Sequence, residues 1–207
     1  MPELPEVETT RRGIAPLLIG QRLVGLNVHD GRLRWPVDPD LPARLAGRRL
    51  TDLRRRAKYL LMDWDGETLL LHLGMSGSLR LLTRPAPLRP HDHLEFEFGA
   101  GLRLLFHDPR RFGSVVHVPG DPERHPLLAH LGPEPLSPDF DGAHLHRLAA
   151  GRRAPVKSFL MDGRVVVGVG NIYANEALFL AGIHPGRAAG RIALARYQTL
   201  ATTVKQV

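Results

Sequence analysis

Along the first segment, Val7, Thr10, Ile14, Leu17 and Leu18 recur at helical spacing between Pro5 and Ile19. Pro5 suits a first turn and Gly20 a stop, so the pattern predicts an amphipathic helix. From Arg22 to about Val118 the period shortens to that of strands. Leu69-Leu70-Leu71 predicts a buried strand. Leu94, Phe96 and Phe98 alternate with polar residues, and Gly99-Ala100-Gly101 hands over to Leu102, Leu104 and Phe106 as a hairpin partner. A short helical insert is expected at Leu41 to Ala46. Residues 119–139 carry Pro119, Pro122, Pro126, Pro133, Pro135 and Pro138, a connecting stretch. Beyond it the spacing is helical over Phe140 to Ala149, Val156 to Met161, Ile172 to Leu180, and from Leu194 onward. The reading is therefore a β-rich N-terminal domain, a proline-rich linker and a small all-α domain. The last helix reaches Val204-Lys205-Gln206-Val207 without a stop signal, which reads as a fragment of a longer chain.

Composition narrows the function classes. Of 207 residues, 43% are hydrophobic, enough for a buried core, and no run approaches the roughly 20 apolar residues of a membrane span. Cysteine is absent, which excludes disulfides and thiol catalysis and removes the usual ligands of structural zinc. The chain reads as soluble and intracellular. A net charge of +7 favours an anionic partner, although a merely basic surface has the same composition. With 25 Arg against 3 Lys, arginine is the default cation, so Lys58 and Lys157 carry more information than the arginines around them.

Five segments carry candidate chemistry. Met1-Pro-Glu-Leu-Pro-Glu-Val-Glu reads as an acidic helix start, which accounts for Pro5, Glu6 and Glu8 but not for Pro2. Removal of Met1 would leave Pro2 as a secondary amine able to attack a carbonyl-like carbon, with Glu3 beside it as proton shuttle. Arg54-Arg55-Arg56-Ala57-Lys58-Tyr59 is either a solvated basic edge or a phosphate-contacting strand. His72-Leu-Gly-Met-Ser-Gly77 suits a loop tip pushing Met75 outward, or an ordinary hairpin. His107-Asp-Pro-Arg-Arg-Phe-Gly113 is either a surface turn or a probe into stacked bases. Gly168-Val-Gly170-Asn171 opens a helix and could approach a phosphate closely; it lacks the third glycine of a dinucleotide-binding loop.

The ordered runs MPELPEVETTRRG, RRRAKYLL, HLGMSGSLR, HDPRRFG, LGPEPLS and VGVGNIYANEALF resemble bacterial formamidopyrimidine-DNA glycosylases over essentially the whole chain. The resemblance implies an α+β fold: an N-terminal β-sandwich with flanking helices at 1–131, a linker at 132–139, and a helix–two-turns–helix DNA-binding domain at 140–207. It implies a base-excision repair glycosylase and AP lyase acting on 8-oxoguanine and formamidopyrimidines in double-stranded DNA. By motif, Pro2 corresponds to the nucleophile that forms a Schiff base, Glu3 to the acid, Glu6 to a lesion-pocket neighbour, and Lys58 to the lysine of β-elimination and phosphate binding. Met75, Arg110 and Phe112 correspond to the residues that fill the gap left by a flipped nucleotide. His72, His91, Arg110, Arg152, Lys157 and Asn171 fall on the DNA-contacting side. A monomer, located in the bacterial cytoplasm at the nucleoid, is implied.

Relatives end in a four-cysteine finger holding one structural Zn2+, preceded by a loop that covers the flipped base. This chain stops before both, so no cofactor and no metal are expected in it. Two alternatives stay open. An endonuclease VIII-like oxidised-pyrimidine glycosylase typically has Gly where this chain has Leu4; a DNA-binding fragment without full catalysis is the other.

Overall fold

A computed structural model of the chain describes residues 2–207, apart from the side chain of Ala100. Met1, whose removal would expose the Pro2 amine, lies outside the described residues. The chain divides into two compact units, the first ending at His125 and the second spanning Pro126–Val207.

The first unit begins with α1 (Leu4–Leu18), which opens on a reciprocal cap. The Glu3 carboxylate accepts from the backbone of Glu6, while Glu3 N donates to the Glu6 carboxylate at 2.9 Å. Val7, Ile14, Ala15 and Leu18 are buried, and the helix packs on β2 (Leu50–Arg56). Leu17, expected on the apolar face, is exposed. It lies one residue, about 100° of turn, away from the buried Leu18.

Among the described residues, eight strands form two four-stranded antiparallel sheets. One has the order β1 (Leu23–Val28), β6 (Asp92–Phe98), β7 (Arg103–His107), β5 (Ser78–Leu82). The other runs β2, β3 (Tyr59–Trp64), β4 (Glu67–His72), β8 (Ser114–Val118). The alternation at Leu94, Phe96 and Phe98 becomes β6, and Leu94↔Phe106 and Phe96↔Leu104 are the paired residues of the expected hairpin. Inner residues of both sheets share one core: Leu53, Leu60, Met62 and Leu71 from one, Leu26, Phe96 and Phe106 from the other. Each such side chain contributes roughly 1.5–3 kcal/mol through burial. The Trp64 ring lies nearly parallel to those of Phe96 and Phe98, 6.3 and 6.0 Å away. The insert at Leu41–Leu45 is helical (α2) and packs on β1.

The second unit is all-α: α3 (Gly142–Ala149), α4 (Val156–Leu160), α5 (Asn171–Leu180) and α6 (Leu194–Gln206). Asp141 caps α3 by accepting from His144 N at 2.7 Å. At Gly142 a Cβ would sit 2.5 Å from the Gln198 backbone, so a glycine is what lets α3 meet α6. Phe140, Leu145, Leu160, Leu178, Tyr197 and Leu200 fill the core. The stretch expected as a linker at 132–139 is partly built into this unit. Gly132 N donates to Gly163 O at 2.8 Å, and Val167 N to Pro133 O at 3.1 Å. Among the described residues no helix is long and apolar enough to cross a membrane.

Candidate functional site

Pro2 is half-buried and precedes Glu3, which is almost wholly buried at the cap of α1. Glu8 anchors the helix that follows. Its carboxylate receives Arg11, Arg12 and Arg55, at 2.8, 2.7 and 3.1 Å, and so ties α1 to β2. The hydrogen bond from Arg11 and those from Arg12 and Arg55 outweigh burial and hold Glu8 at a pKa of about 2. Lys58 sits in the β2–β3 turn, which Ala57 enters with φ of 54°. Burial pushes the Lys58 ammonium down, and the charges of Glu3 and Glu6 hold it up. Glu3 and Glu6, distant from Lys58 in sequence, thus share its electrostatic environment.

His72 ends β4 opposite Tyr59, with ring centroids 4.8 Å apart. Its Nδ1 accepts from Gly74 N at 2.9 Å, which leaves Nε2 as the protonated nitrogen of the neutral ring. Burial, and then the charges of Lys58 and Arg34, lower its pKa to about 4. His72 is therefore a neutral donor near neutral pH.

Beyond it, a cavity of about 680 Å³ is lined by Arg34, His72, Met75, Arg110, Arg111 and Phe112, along with Gly74. Met75 and Phe112 are 43% and 42% exposed, so neither is a core residue. The Arg110 guanidinium lies 4.8 Å from the Phe112 ring centre, a cation–π contact. Met75 stands on the β4–β5 loop and the other two on the β7–β8 loop, yet the loops are pressed together. A Cβ on Gly74 (φ +65°) would lie 2.4 Å from Gly113 N. Buried Asp108 binds both loops, accepting from Ser76 Oγ at 2.6 Å and from Gly113 N at 2.7 Å.

Arg34 was not singled out from the sequence, and Arg111 only as a member of the His107–Gly113 run. Arg34 N donates to Gly113 O at 3.1 Å, and Arg111 pairs with Asp30 at 2.6 Å. A basic residue in an arginine-rich chain has no local signal that separates it from its neighbours. His91 is exposed with φ of 72°, outside the cavity lining; its carbonyl accepts from Asp108 N at the start of the β7–β8 loop.

The remaining candidates lie in the second unit. Asn171 is exposed at the first position of α5, behind the glycine pair 168 and 170. Lys157 is half-buried in the first turn of α4, its backbone N donating to Pro185 O at 3.2 Å. The Arg152 guanidinium lies 5.5 Å from the Phe159 ring centre, and its Nε donates to Leu148 O at 2.9 Å. That arrangement gives Arg152 a packing role on its own unit. The residues present do not make a zinc site: the chain has no cysteine, and among the described residues no group of three or more His, Asp or Glu could hold a metal ion.

Comparison with known proteins agrees with this geometry. Residues 1–115 match the model of the formamidopyrimidine-DNA glycosylase N-terminal domain, and residues 131–207 that of the formamidopyrimidine-DNA glycosylase H2TH domain. The chain is 64% identical over all 207 residues to a formamidopyrimidine-DNA glycosylase of Methylococcus capsulatus, covering 76% of that protein. It is 59% identical, with the same coverage, to one of Acidithiobacillus ferrooxidans. Among solved structures it is similar to a Lactococcus lactis formamidopyrimidine-DNA glycosylase non-covalently bound to AP-site DNA. The TM-score is 0.91 at 31% identity, over 99% of this chain and 79% of that one. A complex of a Lactococcus lactis mutant with Fapy-dG DNA gives a TM-score of 0.92 at 32% identity, over 99% of this chain and 76% of that one. With both units matched in order and relatives of high identity along its whole length, the chain belongs to the formamidopyrimidine-DNA glycosylase family.

Proposed function

We propose that this chain removes oxidised purines, 8-oxoguanine and formamidopyrimidines, from double-stranded DNA and cleaves the resulting site by β-elimination. It acts as a monomer in the bacterial cytoplasm at the nucleoid. The observation that carries the reading is the reciprocal Glu3–Glu6 cap, which orders the backbone next to Pro2 within electrostatic reach of Lys58. The names of the relatives support the substrate class, and the Lactococcus complexes hold AP-site and Fapy-dG DNA.

Met75, Arg110 and Phe112 enter the base stack, and the lesion leaves it at a cost of a few kcal/mol. The Pro2 nitrogen forms a bond to C1′ as the glycosidic bond breaks, and Glu3 supplies the proton taken up by the sugar or the leaving base. Glu6 lies at the lesion pocket. The resulting iminium makes the C2′ proton acidic; its loss expels the 3′-phosphate, and water then returns the free amine. Lys58 holds the adjacent phosphate and assists proton transfer. His72, His91 and Arg110 contact the backbone from the first unit, and Arg152, Lys157 and Asn171 from the second.

Borohydride trapping on an 8-oxoguanine duplex tests the reading. A reduced protein–DNA adduct is expected with the native chain and not with Pro2→Gly or with Met1 retained. Thymine glycol in the same duplex should trap less. Undiminished trapping in Pro2→Gly would overturn the assignment. Gel retardation with no adduct on either lesion would leave a binding protein.

A further inference from the structure

The second unit contains a cavity of about 130 Å³ between the α5–α6 connection and the first turns of α6. Its polar side chains are His184, Arg187, Arg191 and Arg196, and no carboxylate lines it. Residues 177–207 hold no Asp or Glu at all. Several arginines elsewhere meet carboxylates, as in Arg54–Asp63 and Arg164–Asp162. Here they meet main-chain oxygens. Arg196 Nη2 donates to Gly182 O at 2.6 Å and Arg187 Nη2 to Arg191 O at 3.3 Å. Such bonds orient a guanidinium without neutralising it, and each retains further N–H donors. The N-cap of α6 is Ala193, which has no side-chain acceptor to offer the first turn.

Three guanidiniums around a space of this size, two of them oriented by main-chain oxygens, suit a tetrahedral oxyanion, which arginine binds in a bidentate fork. A base is a poor fit, since no Phe, Tyr or Trp lines the cavity to stack on it. The rim is also joined to a segment already assigned to DNA. Val156 N donates to Arg187 O at 2.8 Å, and Lys157 N to Pro185 O at 3.2 Å. We propose that this pocket binds a phosphodiester group of the DNA backbone, a second phosphate site beside that of Lys157. The proposal rests on the reading of the second unit as a DNA-contacting domain. It extends that contact to three arginines outside the recognised motifs.

The test is the salt dependence of binding to a duplex carrying an abasic-site analogue, followed by fluorescence anisotropy from about 50 to 200 mM salt. Arg191→Gln and Arg187→Gln/Arg191→Gln should reduce the magnitude of the log–log slope by about 0.9, the value for one lost phosphate contact. The gap in affinity between wild type and variant then narrows roughly threefold across that range. Arg191→Lys should restore the slope, which a purely structural defect would not allow. The Arg191 side chain makes no hydrogen bond or ion pair among the described residues, so its removal leaves folding intact. A wild-type slope in both variants, with Lys157→Ala still lowering it, would overturn the pocket while leaving DNA contact standing. No duplex binding by the wild type would remove both. A melting temperature raised by inorganic phosphate at constant ionic strength, lost in the double variant with the DNA slope unchanged, would assign the pocket to free phosphate and overturn the proposal.

Discussion

Ser76 Oγ donates to Asp108 Oδ1 across 2.6 Å, joining the loop that carries Met75 to the loop that carries Arg110 and Phe112. Asp108 is fully buried, and its second oxygen accepts from Gly113 N at 2.7 Å. The two loops are therefore one rigid body at their base, and the spacing of the three exposed tips is fixed from below.

Ser76→Ala removes a hydrogen bond to a charged group, which costs about 1.5–3 kcal/mol in urea unfolding. Asp108→Ala costs more, because it strands the Gly113 N–H and the Ser76 hydroxyl at roughly 1–3 kcal/mol each. With 2-aminopurine beside the lesion, Ser76→Ala should show weaker unstacking while remaining folded at 25 °C. Wild-type fluorescence in Ser76→Ala would show that the loops hold their spacing without this bond.

Phe112→Ala and Met75→Ala should behave differently from these supports. Both side chains are exposed, so stability should change by no more than about 0.5 kcal/mol. Base unstacking should be lost in Phe112→Ala and weakened in Met75→Ala, and 8-oxoguanine processing should fall with it. A large drop in melting temperature would mean that these side chains support the sandwich instead.

Local patterns made much of this arrangement legible. The alternation at Leu94, Phe96 and Phe98, with its glycine turn, identified the β6–β7 hairpin because neighbouring strands pair through a short loop. The sheet order β1-β6-β7-β5 was not legible, since β1 finds β6 across some 70 residues and nothing local encodes that pairing. In the same way Pro2, Glu3, Lys58, Met75, Arg110 and Phe112 stood in short unusual runs. Asp108 read only as the start of an Asp-Pro turn; its role depends on Ser76, a partner 32 residues away. Glu8 read as helix-dipole complement, whereas it ties α1 to Arg55 on β2. The Arg187/Arg191/Arg196 pocket had no signal in a chain where arginine is the ordinary cation.

Lys58 should show function and stability opposed. Burial lowers its pKa, so the folded state holds its proton less tightly than the unfolded state does. Its contribution therefore destabilises the fold below the folded pKa and is relieved as pH rises from there to the ordinary lysine value. Lys58→Met should keep or raise the melting temperature at pH 7 and lower lesion processing by at least about tenfold, given the usual weight of proton-transfer groups. A collapse of the melting temperature would instead make Lys58 a structural residue of the β2–β3 turn.

His72 supplies a pH dependence of the same sign in a lower window. With a pKa of about 4, below the ordinary 6.5, the folded chain binds fewer protons than the unfolded chain between those values. Stability attributable to His72 is thus unaffected above about pH 7 and declines as pH falls from 6.5 towards 4, by roughly 3 kcal/mol at most. Other carboxylates titrate in the same range, so the informative quantity is the difference in unfolding free energy between wild type and His72→Asn. Asn can still accept from Gly74 N, as Nδ1 does. That difference should be flat above pH 7 and shift in favour of the variant with acidification. Because the ring is neutral at pH 7.5, the proposed donation of Nε2–H to DNA would displace no counterion. His72→Asn should therefore weaken binding while leaving the salt slope unchanged, whereas Lys157→Ala should lower the slope by about 0.9. A slope reduced in His72→Asn at pH 7.5 would mean that the imidazole is charged on the DNA, and the neutral-donor assignment would fall.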